Sequence, residues 1–191
     1  MDYFVHDDIV LPERGDLLIS EPYLPDPNFE RTVIYLCEHD ENGSFGFVLN
    51  REAPDSLDNL IGVNGFDAPV YVGGPVQQDT LHFLHSDDLQ LEANKEISEG
   101  VHWGVDFDGL IDAIENKTLD PNTVRFFVGY SGWSDGQLMD EIKAKSWIVF
   151  KQAGKHLVFD TDPASLWQTV LKEMGGKFRA ISNYPTDPRL N

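Results

Sequence analysis

The chain has 191 residues, of which 41% are hydrophobic and 12% aromatic, enough for one globular domain with a substantial core. Its formal charge is −19, from 14 basic and 33 acidic residues, and such a balance repels nucleic-acid phosphates and anionic lipid headgroups. A single cysteine, Cys37, excludes an intrachain disulfide and a cysteine cluster for zinc. These totals predict one domain over residues 1–191, with no direct nucleic-acid partner and no membrane partner.

The N-terminal residues carry no sign of a targeting segment. Residues 1–8 are acidic and lack the apolar stretch of a signal peptide. No run in the sequence approaches the length of a membrane span. We therefore expect a cytoplasmic protein.

The charge is distributed unevenly along the chain. Residues 1–142 carry a net charge of −23, whereas residues 143–191 carry a net charge of +4. The favoured interpretation is that the basic C-terminal segment packs on the acidic body, and the alternative is a surface for a dedicated partner.

The first part of the chain is rich in strand signals. Residues 31–39 and 45–50 are rich in β-branched and aromatic residues and flank Asn42-Gly43, which predicts a hairpin. Another strand is predicted over 15–20, and the prolines of 21–28 indicate an irregular loop after it.

The middle of the chain mixes strands with short helices. Strands are predicted at 69–72, 81–85, 101–105 and 123–128, with a weakly patterned acidic stretch at 86–100. One short helix is predicted around 57–61. A second is predicted from Gly109 to Asn116, capped by Asp108.

The C-terminal part contains the clearest helix. Pro163 and Gly175 predict a helix that begins at Asp162 and ends before Gly175. Its apolar stripe consists of Leu166, Trp167, Val170, Leu171 and Met174. Two strands, at 146–151 and 156–159, precede this helix, and an extended tail follows at 182–188. Strands outnumber helices throughout, so the fold class is α+β.

A glycine-rich stretch at 129–136 follows the predicted strand at 123–128. It predicts a turn into a helix over 137–145 that Ser134 or Asp135 caps. Ser131 invites comparison with a nucleophile elbow, but that motif requires glycine where this chain has Trp133. A structural serine is therefore favoured, and a nucleophile is the alternative.

Paired metal-ligand residues are present but incomplete. None of the pairs has a third ligand at a fixed spacing or the remainder of a calcium loop. The pairs are His82 with His85, Cys37 with His39, Asp106 with Asp108, and Asp160 with Asp162. The four tryptophans, Trp103, Trp133, Trp147 and Trp167, are assigned to the core. We expect no metal and no cofactor.

Six segments together carry a family resemblance. They are residues 15–20, 26–33, 43–51, 73–76, 84–85 and 129–141. In this order and spacing they resemble the YqgE/AlgH family of bacterial proteins. The resemblance implies a single α+β domain with coiled, bifurcated antiparallel β-sheets flanked by a few helices. It implies little chemistry, since the family is labelled as transcriptional regulators only through a link to alginate control in one lineage.

The same segments supply the candidate ligand-binding residues. These are Arg31, Asn50, Arg51, Ser131, Trp133, Asp135 and Gln137. If Arg31 and Arg51 meet the glycine turn, two guanidiniums beside helix N–H groups suit a small anion or carboxylate. The alternative, which we favour, is that both arginines pair with nearby acids.

Two functional hypotheses remain. The absence of a complete catalytic motif favours a regulatory protein that acts through an unidentified protein or small-molecule partner and does not bind DNA alone. The alternative is a small hydrolase or ligand-processing enzyme that uses the stretch 129–137.

Overall fold

The computed structural model describes residues 9–63 and 65–186, in which nine strands form one curled sheet. The strands are β1 (Leu17–Ser20), β2 (Val33–Asp40), β3 (Gly43–Val48), β4 (Val70–Val72), β5 (Val76–His85), β6 (Asn94–Ser98), β7 (Val101–Gly104), β8 (Val124–Ser134) and β9 (Trp147–Phe150). Eight of them follow the order β6-β7-β5-β8-β3-β2-β1-β9, and β4 joins β8 as the parallel neighbour. The other pairings are antiparallel.

The long strand β8 joins the two halves of the sheet. Its first part pairs with β5, where His85 lies opposite Val124, and its last part pairs with β3, where Gly46 lies opposite Ser131. The sheet therefore divides along one strand. This confirms the expected α+β fold with coiled, bifurcated antiparallel sheets.

The sheet curls until its edge strand β6 contacts β2 in the other half of the sheet. The hydroxyl oxygens of Tyr35 on β2 and Ser98 on β6 lie 2.7 Å apart. Lys95 on β6 also donates to the carboxylate of Glu38 on β2. These contacts hold the sheet in its curled shape and give it a concave face.

Six helices pack on the sheet within the described residues. They are α1 (Leu57–Ile61), α2 (Phe107–Glu115), α3 (Gln137–Lys143), α4 (Lys155–Phe159), α5 (Leu166–Met174) and α6 (Gly176–Ile181). The main core includes Tyr35, Phe47 and Phe127 from the sheet and Leu157 and Trp167 from the helices. Separate cores lie under α1–α2 and under α3. None of the helices in the described ranges is long and apolar enough to cross a membrane.

The predicted glycine turn at 129–136 is wrong, because β8 continues through Gly129 to Ser134 and only Asp135 and Gly136 form a turn. The glycines instead permit two chain segments to cross closely. Gly129 has a φ of 66°, and a Cβ there would lie 2.7 Å from the carbonyl oxygen of Val76. A larger residue at this position is excluded by strain and by space.

The helix starts also differ from prediction. Asp106, not Asp108, caps α2 by accepting from Gly109 N at 2.9 Å. Gly136 stands at the N-cap of α3, and no side chain of Ser134 or Asp135 caps it. The last long helix, α5, begins at Leu166. The residues before it form a turn in which Asp162 accepts from Ala164 N, so a local side-chain bond competes successfully with helix formation.

Three elements were assigned wrongly or missed. Residues 156–159 are helical in α4, not a strand, because burial of Leu157 and Val158 on one face outweighs their β-rich composition. β6 was missed in the acidic stretch because Ile97 is its one buried residue. α6 was also missed, and the predicted tail is described only as far as residue 186.

Candidate functional site

The seven candidate ligand-binding residues fall into two separate groups. Arg31, Asn50 and Arg51 lie near the start of β2 and the end of β3. Trp133 lies opposite Ser44 at the other end of β3. Trp133 is therefore separated from the arginines by the length of β3. Ser131 lies closer to them, because its hydroxyl and Val48 N bind the same carbonyl oxygen, that of Gly73.

The arginine group holds loops together. Arg31 donates through Nη2 to the carbonyl oxygens of Tyr184 and Pro185, both at 2.7 Å, and its guanidinium lies 4.7 Å from the ring centroid of Trp167. Arg51 donates to the carbonyl oxygen of Asn28 at 2.5 Å. In residues 9–63 and 65–186 neither arginine has an acidic ion-pair partner. Both side chains bind backbone carbonyls, and the favoured pairing with nearby acids is not found among the described residues.

Asn50 is also used internally. Its Oδ1 accepts from Val33 N and its Nδ2 donates to the carbonyl oxygen of Arg31, both at 2.9 Å. This side chain therefore fixes the start of β2 against the end of β3, and both ends of its amide group already have a partner.

The second group surrounds the end of β8. Ser131 is fully buried and donates to the carbonyl oxygen of Gly73 at 3.1 Å. Trp133 donates to Glu141 at 2.9 Å, and Gln137 donates to the other oxygen of the same carboxylate at 3.0 Å. Asp135 is exposed in the turn before α3. Because Ser131 sits within a strand and binds a carbonyl, its surroundings do not match a nucleophile elbow.

His82 and His85 do not converge on one site. His82 packs on Phe47 with ring centroids 5.3 Å apart, whereas His85 packs on His102 at 5.2 Å, on the other face of β5. Burial raises the pKa of the Cys37 thiol. Among the residues that the structure describes, no three His, Cys, Asp or Glu side chains are grouped to hold a metal ion.

A groove of about 630 Å³ opens where β2 ends and β3 begins, between these strands and β5, β7 and β8. Sequence reasoning did not find it. The partly exposed rings of Phe45, His82, Trp103 and Tyr130 line it. Its volume lies within the usual range of ligand sites.

The four rings form a closed circle. Phe45 contacts Trp103 with centroids 4.9 Å apart, and Trp103 contacts His82 at 6.2 Å. His82 contacts Tyr130 at 6.1 Å, and Tyr130 contacts Phe45 at 6.0 Å. The buried ring of Phe47 lies beneath them, 5.9 Å from Phe45. We call this set of four rings the aromatic circle.

The charged side chains that line the groove are acidic. Glu38 and Asp40 are among its lining residues, and lysine and arginine are not. Glu38 is paired with Lys95, whereas Asp40 accepts only from the backbone N–H of Asn42, at 2.7 Å, and has no ion-pair partner in the described chain. Burial lowers the pKa of His82 below its ordinary value of 6.5, so this ring is neutral at pH 7.

The chain crossing beside the groove positions Tyr130. Gly74 has a φ of 158°, and a Cβ there would lie 2.2 Å from the carbonyl carbon of Tyr130. On β5 the register shifts between Val76, opposite Tyr130, and Leu81, opposite Val128, so the intervening residues bulge. Glycine at positions 74 and 129 therefore permits the backbone approach that holds this tyrosine in the groove wall.

Two groove residues lie in segments that carry the family resemblance. Phe45 and Tyr130 both lie inside segments of the family resemblance, 43–51 and 129–141. Trp103 was assigned to the core with the other tryptophans, and it alone of the four is not buried. Strands β5 and β7 bring His82 and Trp103 to Phe45 and Tyr130, and the pairing of these strands is not visible in the sequence.

Comparison with known proteins gives consistent results. The AlgH-like family model matches residues 17–179. A UPF0301 protein of Cytophaga hutchinsonii is 43% identical over 180 residues, which cover 93% of this chain and 98% of that protein. A UPF0301 protein of Chlorobium limicola is 39% identical over 178 residues, which cover 93% of this chain and 95% of that protein.

Two solved structures are similar over nearly the whole chain. The solution structure of the AlgH protein from Pseudomonas aeruginosa has a TM-score of 0.70 and 27% identity, covering 97% of this chain and 98% of that one. The crystal structure of protein DIP2367 from Corynebacterium diphtheriae has a TM-score of 0.73 and 22% identity, covering 93% and 95%. The similarity to DIP2367 is a similarity of fold alone.

Proposed function

Since the chain belongs to the AlgH-like family, as its resemblance to YqgE/AlgH proteins indicated, we propose that it is a regulatory protein that binds a protein or small ligand in the groove. The family assignment supplies no reaction, because the names of these relatives state none. The proposal therefore depends on the geometry of the groove.

The aromatic circle is the observation that carries this proposal. Large aromatic rings are normally buried in a core, and partly exposed rings gathered in a concave site are typical of binding surfaces. Trp103 and Tyr130 keep part of their surface in solvent, although Trp133, Trp147 and Trp167 are all buried. A ligand that covered the circle would remove this apolar area from water.

Any effect on transcription is proposed to be indirect. Affinity for DNA comes mainly from lysine and arginine contacts to phosphates. The groove carries Glu38 and Asp40 and lacks basic lining residues, so a phosphate backbone is disfavoured there. The protein is proposed to change gene expression through the partner that it binds.

The hydrolase alternative gains no support from the site. The stretch 129–137 does not form the turn that this hypothesis required, and Ser131 is fully buried with its hydroxyl bound to Gly73.

The experiment compares affinity capture and metabolite co-purification for the wild type, Trp103→Leu and Tyr130→Leu. The control is Tyr184→Leu, which removes an exposed aromatic side chain that stacks on Tyr23. We expect one enriched protein or small molecule to be lost with both groove variants and retained with Tyr184→Leu. An identical captured set for the wild type and all variants, with folding shown by NMR spectra, would contradict the proposal.

A further inference from the structure

We propose that the groove binds an extended basic peptide segment, with arginine or lysine side chains at alternate positions placed over the aromatic circle and beside Glu38 and Asp40. This inference rests on the proposed function, and it names the chemical class of the partner. Three features of the site support it: the aromatic faces, the acidic rim and the spacing of the two carboxylates.

The aromatic faces provide the first argument. Cations are attracted to the faces of tryptophan, tyrosine and phenylalanine rings, with tryptophan the best partner and guanidinium the more common cation. The circle contains one ring of each type, together with His82. The same kind of contact already occurs inside this protein, where Arg31 lies over Trp167 at 4.7 Å and Arg125 lies over Tyr71 at 5.2 Å.

The acidic rim provides the second argument. Asp40 is exposed and lacks a cationic partner within the described residues, so its charge remains for a ligand. Glu38 shows how such a partner binds, because it accepts the ammonium group of Lys95, the residue opposite Trp103 in the β6–β7 pairing. The neutral form of His82 adds no repulsion. The formal charge of −19 attracts a polycation over a longer range.

The spacing of the carboxylates distinguishes a peptide from a single small cation. Glu38 lies opposite Phe45 and Asp40 lies opposite Gly43 in regular pairing, so both side chains point to one face of β2. Residues two apart on a strand are separated by about 7 Å, which is also the spacing of alternate side chains in an extended peptide. One small cation engages one carboxylate, whereas an extended segment places one cation at Asp40 and another at Oε2 of Glu38, the oxygen that Lys95 does not engage.

The probe is a capped five-residue peptide with arginine at the first, third and fifth positions and glycine between them. Its control replaces each arginine by citrulline, which has nearly the same shape and no charge. Binding is measured by calorimetry and by NMR shift mapping at near-physiological salt. We expect shifts centred on Phe45, Trp103 and Tyr130 and about ten-fold weaker binding of the citrulline peptide.

The variants separate groove binding from general attraction to an acidic protein. Asp40→Asn and Asp108→Asn change the net charge equally, and both sites are exposed, but Asp108 lies on α2 outside the groove. We expect Asp40→Asn to weaken binding several-fold more than Asp108→Asn at the same salt concentration. Trp103→Leu should weaken it by about ten-fold. Asp40→Asn keeps the test valid if Trp103→Leu does not fold.

Three results would overturn the inference. These are equal effects of the two aspartate variants, equal binding of the citrulline peptide, and binding of tetramethylammonium alone at the affinity of the arginine peptide. The last result would identify a small cation as the occupant. If groove-dependent capture persists while the arginine peptide fails to bind, the basic occupant is wrong and the proposed function stands. If the groove variants alter neither measurement, both proposals fail.

Discussion

Trp133 and Trp147 donate their indole N–H groups to the same carboxylate oxygen, Oε2 of Glu141, at 2.9 and 2.7 Å. Trp133 lies near the end of β8 and Trp147 begins β9, and their rings meet edge to face with centroids 6.0 Å apart. Glu141 lies on α3, between them in the chain. A single acidic side chain therefore joins the two strands to the helix that connects them.

We predict that Glu141→Ala lowers the free energy of unfolding by about 3 kcal/mol, since leaving one buried donor unsatisfied costs roughly 1–3 kcal/mol and here there are two. Both tryptophans are buried, at 7% and 4% exposure, so solvent replaces the lost acceptor poorly. Chemical denaturation with tryptophan fluorescence measures this change.

Glu115→Ala is the matched control, because Glu115 is an exposed helical glutamate on α2. Its effect should stay within about 0.5 kcal/mol, as for most surface substitutions. Equal decreases in the free energy of unfolding for Glu141→Ala and Glu115→Ala would show that the carboxylate shared by the two tryptophans contributes no particular stability.

A second prediction concerns Trp167, whose side chain is 3% exposed in the main core. Its indole N–H donates to the carbonyl oxygen of Ser20 at 3.0 Å, and the guanidinium of Arg31 covers its ring. Trp167→Ala should therefore cost about 3–5 kcal/mol, as large-to-small core changes do. An unchanged melting temperature of Trp167→Ala in calorimetry would contradict this prediction. The stability of Trp167→Phe should lie between those of the wild type and Trp167→Ala.

Much of the fold was predictable because its local signals agree with its tertiary contacts. Asn42-Gly43 predicted the hairpin of β2 and β3, and the apolar stripe from Leu166 to Leu171 is buried in α5 as predicted. β6 was not predictable in this way. Its pairing with β7 comes from backbone hydrogen bonds between strands, and its sequence contains one buried apolar residue, Ile97.

The site was less predictable than the fold because its residues come from distant parts of the chain. Ser131 attracted attention through its glycine neighbours, but those glycines serve the close crossing of 73–74 over β8. The aromatic circle requires the β5–β8 and β5–β7 registers, which place His82 beside Tyr130 and Trp103. Long-range strand register depends on the whole sheet, and no short motif contains it.

Ser131→Ala provides a third prediction. The variant should lose about 1 kcal/mol of stability, because one hydrogen bond to the carbonyl oxygen of Gly73 is removed. That carbonyl still accepts from Val48 N at 2.8 Å, so it is not left unpaired. Binding in the groove should be unchanged. Complete loss of a hydrolytic activity in a folded Ser131→Ala variant would revive the hydrolase hypothesis.

A fourth prediction concerns pH and His85, which is fully buried. Its Nδ1 lies 2.9 Å from the carbonyl oxygen of Ser86, and its Nε2 has no hydrogen-bond partner among the described residues. Burial is the main cause that lowers the pKa of His85 below its ordinary value of 6.5. The hydrogen bond to Ser86 opposes this shift, and the neighbouring His102 adds to it. The folded state therefore favours the neutral ring.

The sign of the pH effect follows from that shift. As the pH falls through 6.5, the unfolded chain takes up the proton before the folded chain does, so the free energy of unfolding decreases. Burial lowers the pKa of His82 as well, which adds to the same trend. His85→Phe should show a smaller loss of stability between about pH 7 and about pH 5 than the wild type.

Phe83→Leu is the control for this measurement, since it weakens the same strand without removing a titrating group. It should lower stability by a similar amount at each pH and keep the slope of the wild type. If stability falls with pH in His85→Phe as steeply as in the wild type, the imidazole of His85 is not the group that causes the pH dependence.

The last prediction is that the protein does not bind duplex DNA by itself. Residues 1–142 carry a net charge of −23, so most of the chain repels phosphates. The basic excess lies in residues 143–191, and the structure uses part of it internally. Lys151 lies 2.8 Å from the buried carboxylate of Asp16 and 2.9 Å from Glu13, and Lys143 pairs with Asp140 at 3.4 Å.

These pairs engage two of the eight basic residues in 143–191, and the acidic remainder of the chain repels a phosphate backbone. Direct base reading without phosphate contacts is weak. A regulatory effect in cells would then require a protein or metabolite as intermediary. Anisotropy titration on promoter DNA at near-physiological salt should show no saturation at submicromolar protein. Saturable binding that weakens steeply with salt, in the absence of a partner, would disprove the prediction and favour direct regulation.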